Sequence, residues 1–199
     1  MKPAYRQSVF HVNCRLPRSE RAFSLYDALV ALTVVSTLAT VAVPSFQQLT
    51  SSQRMTGAVN SLVTALHLAR SEAIKRRARA VLCPSVDGRA CHNGGSGYTV
   101  WDEGYLLYID HNGNHEFDAD DIAVRSFSAT TGLHIRSSAG RDHVTYQPVG
   151  LASGSNLSIT FCDKRGRGAP RAVIVSSGGR PRVSIRNASG GAIVCNTAS

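Results

Sequence analysis

No stretch of the chain reads H-E-x-x-H, G-x-S-x-G or a phosphate-cradling glycine-rich loop. The usual metalloprotease, serine-hydrolase and nucleotide chemistries therefore have no foothold. No two cysteines stand at C-x-x-C spacing, so zinc is not expected. His67, His92, His111, His115, His134 and His143 are scattered as surface or turn residues, without a nucleophile pattern around them. No aromatic residue follows Phe161, so the C-terminal region has no ring on which a base could stack. Acids are scarce there too, with Asp163 alone in residues 162–199. There is no internal repeat and no second soluble domain. These absences exclude an enzyme from the expectation, and no cofactor is expected.

One long apolar run is present. Phe23 to Val43 is almost wholly apolar and lies between the basic stretch Arg18–Arg21 and Pro44. At ~1.5 Å per residue it reaches ~30 Å, the thickness of a bilayer's hydrocarbon core. It holds one ionisable residue, Asp27, and a charge there is costly in lipid unless it has a partner or a function.

The residues from Ala22 to Asp27 read AFSLYD: a small residue, Phe, Ser, Leu, any residue and an acid, between a basic leader and an apolar run. This resembles the prepilin signature of type IV pilins and of the pseudopilins of type II secretion. Pro44, followed by Ser-Phe-Gln-Gln, sits where such proteins carry a helix-bending proline. The resemblance implies that a prepilin peptidase cuts between Ala22 and Phe23 and methylates the new amine of Phe23. Ala22 stands where the family usually has Gly, and Asp27 where it usually has Glu. The Asp27 carboxylate would neutralise the amine of a neighbouring subunit's Phe23, since two charges that are each expensive in lipid become cheaper as a pair.

On this reading residues 1–22 are a cleaved leader and residues 23–80 a long helix, membrane-spanning over about 23–43. Residues 81–199 then form a periplasmic β-rich domain. The positive leader keeps the N-terminus cytoplasmic. The chain is expected in the bacterial inner membrane as a single-pass protein, and in a pilus or pseudopilus after assembly with other pilins or pseudopilins.

Four cysteines follow the apolar run: Cys83, Cys91, Cys162 and Cys195. An even count on the exported side of a membrane suggests disulfides. Three pairings are possible. Cys83–Cys91 would close a short Gly/Ser-rich loop, and Cys162–Cys195 would tie down the C-terminal tail; these two are expected.

Beyond Pro44, Met55, Val59, Leu62, Val63, Leu66 and Ile74 recur near helical spacing, and Lys75, Arg76, Arg77 and Arg79 crowd the helix end, where cations suit its dipole. One helix of about fifty-five residues, bent at Pro44, is expected. The period then changes to two. RAVLCP, GYTVW, YLLYID, DIAVRSF, GLHIRS, HVTYQP, LSITFC, RAVIVS and RVSIR read as nine short strands separated by Gly, Asn, Asp and Ser clusters. The fold class is α+β: a long N-terminal helix packed on an antiparallel β-sheet or sandwich.

ARSEAIKRR (Ala69 to Arg77) and the W-x-x-G of Trp101 to Gly104, followed by D-x-N-x-N, resemble the GspH/FimT branch of minor pilins and pseudopilins. Asp110, Asn112, Asn114, Glu116, Asp118 and Asp121 fall at the oxygen-bearing positions of a twelve-residue calcium loop. His115 replaces its turn-making Gly, and Asp121 its long Glu. Asn and Asp also bond to their own backbone in tight turns, and a hairpin turn is the expectation.

Residues 162–199 carry Lys164, Arg165, Arg167, Arg171, Arg180, Arg182 and Arg186 against Asp163, a net of +6, while residues 23–161 sum to −1. Arg180 and Arg182 share a face of an extended segment, and Arg186 continues that parity. Guanidinium groups so placed can grip successive phosphates. GRPR (Gly179 to Arg182) resembles the G-R-x-R element of FimT-type minor pilins, which bind DNA in natural transformation. The alternative is a solvated sheet edge that resists aggregation.

Overall fold

A computed structural model describes residues 24–92, 97–152, 154 and 156–195. The chain divides into two compact units, Met1–Val43 and Pro44–Ser199. Helix α1 (Leu25–Arg76) supplies the described part of the first unit and opens the second, with Pro44 inside it. It ends earlier than residue 80. Arg77 takes a left-handed φ of 53°, the conformation that closes helices at this position, and Arg79 and Ala80 already belong to the first strand. The last turn is held by Glu72, which bonds Arg76 at 2.6 Å and meets Lys75 at 3.7 Å. The Arg76 hydrogen bond keeps the Glu72 carboxyl below its usual range.

Eight strands follow among the described residues: β1 (Arg79–Pro84), β2 (Gly104–Asp110), β3 (Ile122–Ser128), β4 (Leu133–Ser137), β5 (Val144–Tyr146), β6 (Leu157–Asp163), β7 (Arg171–Val175) and β8 (Pro181–Ser184). They form two antiparallel four-stranded sheets, ordered β3-β2-β1-β5 and β4-β6-β7-β8. Eight of the nine expected strands are present. GYTVW makes only a bridge, Val100 to Arg136, flanked by Trp101 N–H donating to Ile135 O and Ser137 N–H donating to Thr99 O.

The stripe of α1 that faces the sheets is Met55, Ala58, Val59, Leu62, Ala65, Leu66, Ala69 and Ala73, at i, i+3, i+4, i+7 spacing. Both sheets contribute to the same core, with Leu82, Leu107 and Ile109 from one and Leu133, Ile159, Phe161 and Val173 from the other. Four of the stripe residues are alanines, which let the helix approach closely. Ile74, expected on this face, is 49% exposed.

The first sheet is covered on its other side as well. Val81, Cys83, Leu106 and Tyr108 form a second cluster with Cys91 and Phe117. This explains why β2 reads as a near-continuous apolar run: it is buried on both faces. The Cys83–Cys91 disulfide closes the loop over this cluster, and Cys162–Cys195 fastens the tail to β6. Gly104 enters β2 at φ 123°, where a Cβ would lie 2.7 Å from Phe127 O and 2.8 Å from Ser85 O. Only glycine fits there, and Trp101 three residues earlier is buried. The glycine of W-x-x-G therefore has a steric cause.

Candidate assembly helix and basic surface

Helix α1 opens on Ser24. Its Oγ accepts from Tyr26 N–H at 3.3 Å, and its own N–H donates to Asp27 Oδ2 at 3.2 Å. This is the reciprocal arrangement of a capping box, so Asp27 closes its own helix end. The S-x-x-D spacing is the sequence signal for that cap, and it stands apart from the argument on the charge of Asp27. Ala22 and Phe23 lie outside the described residues.

The apolar stretch is not free of polar atoms. Thr33, Ser36, Thr37 and Thr40 donate their hydroxyls to the carbonyls of Val30, Thr33, Val34 and Thr37 at 2.7–2.9 Å. Each hydroxyl is satisfied within the helix, which is what a lipid environment demands. Leu25, Leu29, Leu32, Val35 and Leu38 are exposed, and by length and composition α1 can cross a membrane.

The Asp/Asn segment joins β2 to β3, and its side chains serve its own backbone. Asp110 accepts from Gly113 and His115 N–H, Asn112 from Asn114 N–H, and Asn114 from Glu116 N–H. Asp118 accepts from the amides of Asn112 and Asn114 and from Asp120 N–H. Asp121 accepts from His111 and Asp118 N–H. His115 takes φ 63°, the left-handed turn that glycine makes at this place in a calcium loop. Among the described residues, no three His, Cys, Asp or Glu side chains are grouped to hold a metal. The His115 ring stacks on His143 at 4.9 Å, and burial followed by the His143 charge pulls its pKa down.

The basic residues do not form one patch. Lys164, Arg165 and Arg167 lie in the β6–β7 loop, with Arg171 opening β7. Arg180 lies in the β7–β8 turn, at the other end of the sheet, where Val175 pairs with Pro181. Lys164 Nζ is 3.4 Å from Asp102, Arg167 bonds Gln47, and Arg186 Nη1 donates to Gly190 O at 3.0 Å. The side chains of Arg165, Arg171, Arg180 and Arg182 make no hydrogen bond or ion pair among the described residues. The parity expected from Arg180 to Arg186 holds in β8 only for Arg182 and Ser184. Beyond Ser184 the chain turns through Asn187 to Gly191, and Arg186 is used to close that turn.

A cleft of about 580 Å³ opens on the outer face of the second sheet beneath the tail, between His134, Arg136, Ser158 and Ile193. Nothing in the sequence pattern marks it, because its walls come from β4, β6 and the tail.

A long apolar helix leading into a β-rich head with two antiparallel sheets is a pilin-like build. Residues 58–179 match the family model of GspH, type II transport protein, and the chain belongs to that family. It is similar to the pilin-like protein PilA1 of Thermus thermophilus, 28% identical over 173 residues, covering 83% of this chain and 99% of PilA1. Its fold resembles the crystal structure of the type IV minor pilin FimU of Pseudomonas aeruginosa, with a TM-score of 0.51 and 18% identity over 66% of this chain and 89% of that one.

Proposed function

We propose that the chain is a minor subunit of a type IV pilus or a type II secretion pseudopilus, anchored in the bacterial inner membrane with residues 81–199 in the periplasm. The observation that carries this reading is an apolar α1, opened by the Ser24–Asp27 cap, at the head of a GspH-family domain. Prepilin peptidase cuts between Ala22 and Phe23, and α1 packs among other pilins or pseudopilins with Asp27 against a neighbour's Phe23 amine. Mass spectrometry of the membrane-extracted protein should find an N-terminal methylated Phe23; an intact leader in a peptidase-positive host refutes the assignment. The cap sharpens the assembly test. In Asp27→Asn the amide oxygen still caps Ser24 but the charge is gone, so the variant should still insert in the membrane but assemble poorly. Normal incorporation would mean that the charge is not used. Loss of protein export on gene deletion assigns the secretion pseudopilus, and loss of pili the type IV system.

A second reading is DNA binding, favoured by the exposed Arg180 and Arg182, whose side chains make no hydrogen bond or ion pair among the described residues. Two to three phosphate contacts imply a log–log salt slope of about −2 to −3 on duplex DNA. Arg180→Gln with Arg182→Gln should flatten that slope by about two. Equal binding by wild type and variant in a gel-shift titration at two salt concentrations removes this reading.

A further inference from the structure

The loop carrying Arg165 and Arg167 is fastened to the first turns of the second unit. Ser51 Oγ donates to Asp163 Oδ2, and Arg167 Nη1 donates to Gln47 Oε1. Between loop and helix lies a cavity of about 210 Å³ walled by Phe46, Gln47, Thr50, Arg54, Arg165 and Arg167. Among the described residues, Asp163 is the one acid on that wall. One of its oxygens accepts from Ser51 and the other from Arg165 N–H at 2.7 Å, so the three guanidinium groups face one carboxylate that is already occupied.

In the sequence Gln47 follows Val43, the last residue of the apolar run, by four positions. The three arginines therefore stand where α1 leaves its apolar stretch. Phe46 and Leu49, on the same turns, are 69% and 55% exposed. These exposed apolar side chains follow directly on the apolar run, so a bilayer surface at that level would take them out of water.

We propose that this cavity seats the anionic phosphodiester headgroup of a membrane phospholipid, with Arg54, Arg165 and Arg167 on the phosphate and Phe46 in the interfacial layer. This rests on α1 spanning the membrane. Guanidinium forks match phosphate oxygens in charge and geometry. Lipid also dehydrates Phe46 and Leu49, which a nucleic-acid duplex would leave in water. Arg180 belongs to another neighbourhood. A Cβ on Gly179 would meet Gly150 O, and one on Gly150 would meet Ile74 and Arg70, so the Arg180 turn lies near that end of α1. Ser51 and Arg70 are about 28 Å apart along α1, several Debye lengths at physiological salt.

The test uses the full chain in proteoliposomes containing spin-labelled phosphatidylglycerol or spin-labelled phosphatidylcholine, with flotation reporting insertion separately. Wild type should immobilise phosphatidylglycerol over phosphatidylcholine about threefold or more, each arginine near an anionic surface contributing up to about fivefold. The preference should fall with added salt. Arg54→Gln/Arg165→Gln/Arg167→Gln should float equally well and lose it, while Arg180→Gln/Arg182→Gln should keep it. Failure to float overturns the membrane reading and this proposal together. Flotation with no phosphatidylglycerol preference, or a preference abolished equally by the Arg180/Arg182 variant, overturns the headgroup seat alone. Displacement of the bound lipid by a short DNA duplex would reassign the cavity to nucleic acid.

Discussion

Replacing Leu66 with Ala tests which face α1 turns to the sheets. Leu66 is fully buried, in one core with residues of both sheets. Two sheets close on that position, so the site cannot collapse to fill the space. The expected cost is then in the upper part of the usual Leu→Ala range, about 3–5 kcal/mol. For a chain of this size that lowers Tm by roughly 6–20 °C. Ile74 is the internal control. It continues the apolar spacing in the sequence, yet half of it is exposed and it is not part of the buried core. Ile74→Ala should cost no more than about 1 kcal/mol. Ala69→Leu adds apolar surface to the buried stripe but overfills it, and should lose about 1–3 kcal/mol. Thermal unfolding of the full chain in detergent, followed by far-UV circular dichroism, measures all three. A cost for Ile74→Ala equal to that of Leu66→Ala, or a stabilised Ala69→Leu, would mean that a different face of α1 is buried.

Three further expectations follow from single contacts. The His115 pKa lies below its unfolded value because of burial and the His143 ring, with Arg79 adding to that and Asp110 and Asp142 opposing it. Its stabilising contribution is therefore present above about pH 6.5 and is lost as pH falls from there through the depressed folded value. His115→Asn, which tolerates the left-handed turn, should show a shallower loss of stability between pH 7 and 5; identical slopes refute this. Tyr105 Oη and Ser61 Oγ are 2.8 Å apart, so Tyr105→Phe should cost about 1 kcal/mol in urea unfolding, and no change would show that water replaces the bond. Peptide maps of oxidised protein should recover Cys83–Cys91 and Cys162–Cys195. The first, which closes the loop over the second apolar cluster, should stabilise the fold by about 2.5 kcal/mol on loop-closure entropy; a fully reduced sample with unchanged Tm would contradict it.

The elements themselves are legible in the sequence, because each depends on near neighbours. An unbroken apolar run has only one way to satisfy its backbone in lipid, as a helix. Period-two stretches between Gly, Asn and Asp clusters mark eight strands that form. The exception, GYTVW, alternates correctly but meets β4 over too short a length to make a ladder. The Asp/Asn loop is readable as a turn because its bonds run to its own backbone, two to ten residues away.

Only the tertiary structure decided what distance along the chain separates. β1 pairs with β5 rather than with β4, so the strands divide into two sheets instead of one. That division leaves a narrow seat for α1, and alanines occupy it in preference to Ile74, a choice that apolar strength alone points away from. In the sequence the C-terminal charge is one cluster of seven. Antiparallel strands carry its members to opposite ends of a sheet, and bonds from Asp163 to Ser51 and from Arg167 to Gln47, each spanning more than a hundred residues, draw one end to the helix. Composition determined how much charge this protein carries; strand pairing determined where that charge stands.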